Sequence, residues 1–109
     1  MPRLTLTKPA VLDLETAVSD LAEFSVAAAR RMREDVSRPF RDLRTFPETG
    51  RRRPEYDEFV AGVRSTAVRP LLILYCLPAP DHVLVLRIID GRRDRDSLLL
   101  PNRVEKDEP

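Results

Sequence analysis

Tryptophan is absent from this chain of 109 residues, cysteine and histidine occur once each, and there are only three glycines and two lysines. A single cysteine, Cys76, excludes a disulfide within the chain, so the fold rests on its core. Cys76 lies in the apolar run Leu71–Leu77 with no histidine beside it. It reads as a reduced thiol packing as a small hydrophobe rather than as a nucleophile. That run is the longest apolar stretch, far short of the ~20 residues a membrane-spanning helix needs. The opening Met1-Pro-Arg-Leu-Thr-Leu-Thr-Lys8 lacks the apolar centre of a secretion signal, so a cytoplasmic protein is expected. Internal repeats and low-complexity tracts are missing, and neither a metal nor a cofactor is expected.

What is present suits a folded domain. Hydrophobic residues make up 42% and charged residues 34%, too apolar a mixture for a disordered chain. The length allows one domain, expected over residues 1–97, with 98–109 as a C-terminal segment and acidic tail. The net charge of +1 hides an uneven distribution. Residues 1–29 carry net −2, residues 30–53 carry net +5 from nine arginines against four acids, and residues 54–109 carry net −2. Such a basic block can attract phosphates or an acidic protein. On a helix, the pairs Arg30/Glu34, Arg31/Asp35 and Arg38/Asp42 would neutralise part of it. Arg51-Arg52-Arg53 has no such local acids and is the better patch.

Leu4 and Leu6 alternate with polar neighbours, a short strand. Pro9 suits a first helical turn, and Val11, Leu14, Val18 and Leu21 form an apolar stripe, so a helix is predicted over 8–23. Asp13 and Glu15 sit near its N-terminus, where the macrodipole favours acids. Ser25 is a candidate cap for a second helix with the stripe Ala29, Met32, Val36, Phe40 and Leu43, kinked at Pro39 and finished before Pro47. From residue 62 the pattern turns to β. Val63–Val68 alternates, Leu71–Leu77 reads as a central strand, Pro78–Asp81 as a turn, and His82–Ile89 as the returning strand. Leu98–Leu100 would add a short strand or helix. The expected architecture is α+β, in the order β-α-α-β-β-β, with an antiparallel helical hairpin on one face of a small twisted antiparallel sheet. The other sheet face is also apolar, and nothing evident in the chain covers it.

This order, with the residues from Leu43 to Asp94, resembles the RelE/ParE family of toxins, and its ParE branch in particular. Leu43-Arg-Thr-Phe-Pro-Glu-Thr-Gly-Arg-Arg-Arg-Pro-Glu55 is similar to that branch's Phe-Pro, Gly-Arg and Arg-Pro-Glu succession. Gly62-Val-Arg-Ser-Thr-Ala-Val68 is similar to its Gly-Leu-Arg-Ser-x-x-Val strand. Leu72 to Tyr75 matches an apolar run ending in Tyr. Val85-Leu-Arg-Ile-Ile-Asp-Gly-Arg-Arg-Asp94 is similar to Ile-Val-Arg-Val-Leu-His-Gly-x-Arg-Asp. The likeness covers roughly residues 3 to 95. Asp90 stands where the family often has His, Arg69-Pro70 replaces a Gly-Arg or Gly-aromatic pair, and Pro39 interrupts the second helix.

The resemblance implies the toxin of a type II toxin–antitoxin pair, neutralised by a cognate antitoxin. ParE-like members trap DNA gyrase and perform no chemistry; RelE-like members cut mRNA on the ribosome. RNA cleavage needs a base, an acid and cations over the phosphate. Arg64, Arg87, Arg92 and Arg93 are the candidate cations, but the acid and base are hard to find. His82 reads as an exposed turn residue, Tyr75 as core with its hydroxyl at the rim, and lysines occur only at 8 and 106. Gyrase inhibition asks only for a surface, for which Arg87, Arg92 and Arg93 are the candidates; a self-pairing turn over Arg92–Asp96 is the alternative. Arg64 reads either as a phosphate ligand or as a sheet anchor paired with an acid such as Asp90. Val83, Val85, Leu98, Leu99, Arg51 and Arg52 are the candidate antitoxin contacts. A family member that binds antitoxin and poisons nothing is a third reading.

Overall fold

The computed structural model describes residues 2–92. The expected C-terminal strand or helix at Leu98–Leu100, the acidic tail and the candidates Arg93, Leu98 and Leu99 lie outside the described residues. Strand β1, Arg3–Leu6, leads into helix α1, Lys8–Ala22. Thr7 caps α1 by accepting from the Ala10 amide at 3.1 Å, and its hydroxyl donates to the Leu86 carbonyl at 2.8 Å. One side chain thus satisfies a free helix donor and fastens the helix start to the sheet. Ser25 caps helix α2, Val26–Thr45, in the same way through the Ala28 amide. Pro39 leaves α2 unbroken, although it supplies no amide for the Asp35 carbonyl. Burial of Val36 and Leu43 on either side of it holds the helix to one continuous stripe.

The α1 stripe is turned slightly from its expected position. Ala10 and Ala17 are fully covered whereas Val11 is 46% exposed. Two alanines at a spacing of seven let the helix lie close to the sheet, and they bring Asp13, between them, onto the inner face.

Four further strands follow: β2, Arg51–Arg52; β3, Arg64–Val68; β4, Leu71–Ala79; and β5, His82–Asp90. The sheet order is β1-β5-β4-β3-β2. The expected antiparallel meander exists in β3, β4 and β5, but the sheet as a whole is mixed, because β1 pairs parallel with β5. Parallel pairing demands a long crossover, which the helical hairpin and the other strands provide. Arg51–Arg52, expected in a loop, forms a short edge strand against Arg64 and Ser65.

Helices cover one sheet face, where Ile73, Tyr75, Val83, Val85 and Ile88 meet Ala17, Met32, Val36 and Leu43. The second face is partly covered by the chain itself, contrary to the sequence expectation. Tyr56, in the 3-10 turn Pro54–Tyr56, packs with Leu72 and Leu86 on buried Val63, Leu74 and Ile89. A bulge between β4 and β5 explains why both alternations of β5 are apolar. Leu74 pairs with Arg87 and Tyr75 with Val85, leaving Leu86 as the extra residue. Val83, Val85 and Ile88 therefore all reach the helix side.

Candidate functional site

Two arginines at the end of β5 are held by carboxylates. Arg87 forms a bidentate pair with Asp13 of α1, Nε to Oδ2 at 2.7 Å and Nη2 to Oδ1 at 2.9 Å. Asp13 Oδ2 also accepts from the Ile88 amide at 2.9 Å. The Asp13 side chain is only 15% exposed, so the pair is partly shielded from water. Hydrogen bonding to Asp13 holds the Arg87 guanidinium above its ordinary pKa, against the opposing effect of burial. Arg92 pairs in the same fashion with Asp90, Nε to Oδ1 at 2.9 Å and Nη2 to Oδ2 at 2.6 Å. The Arg92 amide donates to Oδ1 as well, and its guanidinium reaches the Ala17 carbonyl at 3.5 Å. Bidentate geometry of this kind fixes a guanidinium in direction as well as position.

A second constellation organises the loop after α2. The buried Tyr75 hydroxyl accepts from the Gly50 amide at 2.9 Å and donates to the Pro47 carbonyl at 2.8 Å. Burial pushes its pKa up, with the Gly50 hydrogen bond opposing. Gly50 is required by packing. A Cβ there would lie 2.7 Å from Tyr75 Cε1 and 2.8 Å from Cζ. Arg64 Nη1 donates to the Glu48 carbonyl at 3.0 Å and the Gly50 carbonyl at 2.9 Å. Of the readings open for Arg64, the structure supports an anchor, but one bound to loop carbonyls; Asp90 belongs to Arg92.

The remaining candidates do not converge on these two sites. Val83 and Val85 are fully buried beneath the helices, which corrects their assignment as antitoxin contacts. Alternation alone did not say which side of β5 faced the hairpin. Arg51 and Arg52 are exposed, but the arginine triplet has local partners after all. Arg52 approaches Asp57 at 3.9 Å, while Arg53 donates to Ser65 Oγ at 2.8 Å and pairs with Glu55 at 3.5 Å. His82 is half-buried rather than exposed, its Nε2 at 2.8 Å from Thr5 Oγ1. Cys76 is a free buried thiol whose pKa burial raises. Sequence reasoning missed Asp13 and treated Asp90 as an open question. The Ala10/Ala17 spacing was the signal that could have turned Asp13 inward. Among the described residues, no three His, Cys, Asp or Glu side chains gather closely enough to hold a metal, and no helix is long and apolar enough to cross a membrane.

The order of elements, the arginine at the β5 bulge and the Tyr75-anchored loop together make a pattern that can be compared with known proteins. The family described as ParE toxin of type II toxin–antitoxin system, parDE, matches residues 4–95. This chain belongs to the ParE toxin family. Among solved structures, the chromosomal ParDE TA system from P. aeruginosa superposes with a TM-score of 0.66 at 22% identity, covering 83% of this chain and 96% of that one. At that identity the likeness speaks for the fold. No curated protein matches. Within this ParE-family fold, the Arg87–Asp13 pair ties α1 to β5, while Asp90, in place of the frequent His, holds Arg92, whose guanidinium reaches α1 at the Ala17 carbonyl.

Proposed function

We propose that this ParE-family chain is the toxin of a type II pair, restrained by a cognate antitoxin, and that it acts by binding DNA gyrase without chemistry of its own. The observation that carries the second half is the occupation of its arginines. A nuclease of this fold needs free cations over the scissile phosphate beside an acid and a base. Here Arg87 is closed by Asp13, Arg92 by Asp90, and Arg64 by two carbonyls. His82 stands at the opposite end of β5, five residues before Arg87. A surface that acts by shape keeps its form under such pairing. For the antitoxin, exposed Leu12 and Val26 on the helical hairpin, and Phe24 in its turn, offer apolar anchors, and Arg51 and Arg52 suit an acidic segment.

The direct test adds purified protein to DNA gyrase and plasmid, and separately to ribosomes translating a defined mRNA. Blocked supercoiling with accumulation of cleaved DNA, and intact mRNA, is the expected outcome. Cut mRNA with unaffected gyrase would move the chain to the nuclease reading. Inactivity in both assays, with tight antitoxin binding, would leave a binder that poisons nothing.

A further inference from the structure

The exposed side of α2 carries a basic feature that neither constellation uses. Arg30, Arg33, Arg41 and Arg44 follow one another at helical spacings of three, eight and three, which places all four on one side of the helix. At 1.5 Å per residue the row is about 21 Å long. Two members define where it lies. Arg33 bridges to Glu15 of α1 at 2.9 Å, and Arg44 Nε reaches the Pro2 carbonyl at 3.4 Å, so the row lies on the side of α2 toward α1 and β1. The acids Glu34, Asp35 and Asp42 flank it on the side of β3, where they line a groove with Thr66 and Val68, and Arg41 of the row lines that groove too. Arg30 and Arg41 have exposed side chains that make no ion pair or hydrogen bond with any described residue. The expected neutralising pair of Arg30 with Glu34 does not form.

The kind of partner follows from what the row lacks. From Arg30 to Thr45 every exposed position on α2 is polar or charged. A protein interface has an apolar centre from which charged residues are depleted; here the exposed apolar residues Val26 and Phe24 lie beyond the N-terminal end of the row, and the row itself has none. Between Arg30 and Arg44 there is also no exposed aromatic ring on which the bases of a single strand would stack, Phe24 and Phe46 lying beyond the two ends of the row. What remains is a row of four guanidiniums, two of them already engaged by Glu15 and the Pro2 carbonyl and two open; guanidiniums are the groups best matched to phosphate oxygens. We infer that this face of α2 binds the sugar–phosphate backbone of double-stranded DNA. The choice of DNA over duplex RNA rests on the proposed gyrase reading, since gyrase holds duplex DNA.

The test titrates the full chain onto a fluorescent duplex of random sequence at several salt concentrations. It uses the wild type, the double variant Arg30→Gln/Arg41→Gln and the single variant Glu34→Gln, with circular dichroism and thermal melting as controls for folding. Wild-type affinity should fall with salt, with a slope about 0.9 per phosphate contact in log–log form. The double variant should bind more weakly and lose about two contacts' worth of slope. Glu34→Gln should bind more tightly, an effect that misfolding cannot imitate. Equal affinity and slope for all three proteins would overturn the inference, as would preference for duplex RNA, single strands or an acidic polypeptide. Gyrase inhibition without any DNA binding would remove this inference and leave the proposed function standing. DNA binding by Arg30 and Arg41 without gyrase inhibition would do the reverse.

Discussion

Arg87 and Arg92, in and just after β5, and Arg30 and Arg41, in α2, have equal formal charge and opposite circumstances. Arg87 and Arg92 are each gripped at two nitrogens by a carboxylate, and the partner acids are 15% and 6% exposed. Arg30 and Arg41 project from a helix with no protein partner among the described residues. Arg87 holds α1 against the sheet and Arg92 closes the end of β5; the second pair is available to something outside the chain. Counting charges along the sequence cannot separate these cases, because the deciding acid for Arg87 lies 74 residues away at Asp13.

Four substitutions sharpen the contrast, in order of expected effect. Asp13→Ala should be the most damaging. It leaves a partly shielded guanidinium and the Ile88 amide without their acceptor, at a cost of about 3 kcal/mol in denaturant unfolding. A loss under 1 kcal/mol would show that the pair is ornamental. Gly50→Ala should cost about 1–3 kcal/mol, since the new methyl group meets the Tyr75 ring unless the loop gives way. Tyr75→Phe should cost about 1–2 kcal/mol, by leaving the Gly50 amide and Pro47 carbonyl unpaired. Arg41→Gln should change stability by less than about 0.5 kcal/mol, as expected for an exposed residue without contacts. If Arg41→Gln proves as costly as Asp13→Ala, the division into held and free arginines is wrong.

Alkaline pH probes the buried side of the same contrast. The pKa of Tyr75 is raised above its ordinary 10.0 and that of Cys76 above its ordinary 9.0, in both cases first by burial. A raised folded-state pKa means that the folded state holds its proton longer than the unfolded chain does. The contribution to stability is complete below the unfolded pKa and is lost as pH rises through the folded one. Denaturant midpoints should therefore be level near pH 7 to 8 and decline as pH climbs beyond about 9. Tyr75→Phe should lessen the part of that decline above about 10, the remainder belonging to Tyr56, whose pKa burial also raises.

Much of the fold was legible because periodicity is local. The α2 stripe, its Ser25 cap and the β3–β4–β5 meander can be read from spacings within 20 residues; the Thr7 cap of α1 went unread. The parallel pairing of β1 with β5 was not, since it joins Arg3 to His82 and depends on the whole chain between them. The inward face of β5 was also hidden. A strand apolar on both alternations gives no preferred side, and the bulge at Leu86 shifts the parity halfway along. For that reason Val83 and Val85 were expected at the surface and are found in the core. Tyr56 was silent for a different reason: a short turn has too few residues to show a period, yet it covers part of the second face. Arg64 was recognised as unusual, and its true acceptors, two carbonyls of a loop, carry no mark in a sequence.

The central claim is that this toxin-family chain works by binding and leaves RNA intact. Inducing it in bacterial cells without an antitoxin, while reading the DNA damage response and bulk translation side by side, tests that claim most directly. The account predicts filamentous cells with DNA breaks while translation continues. Rapid arrest of translation with cut mRNA, before any DNA damage, would contradict it.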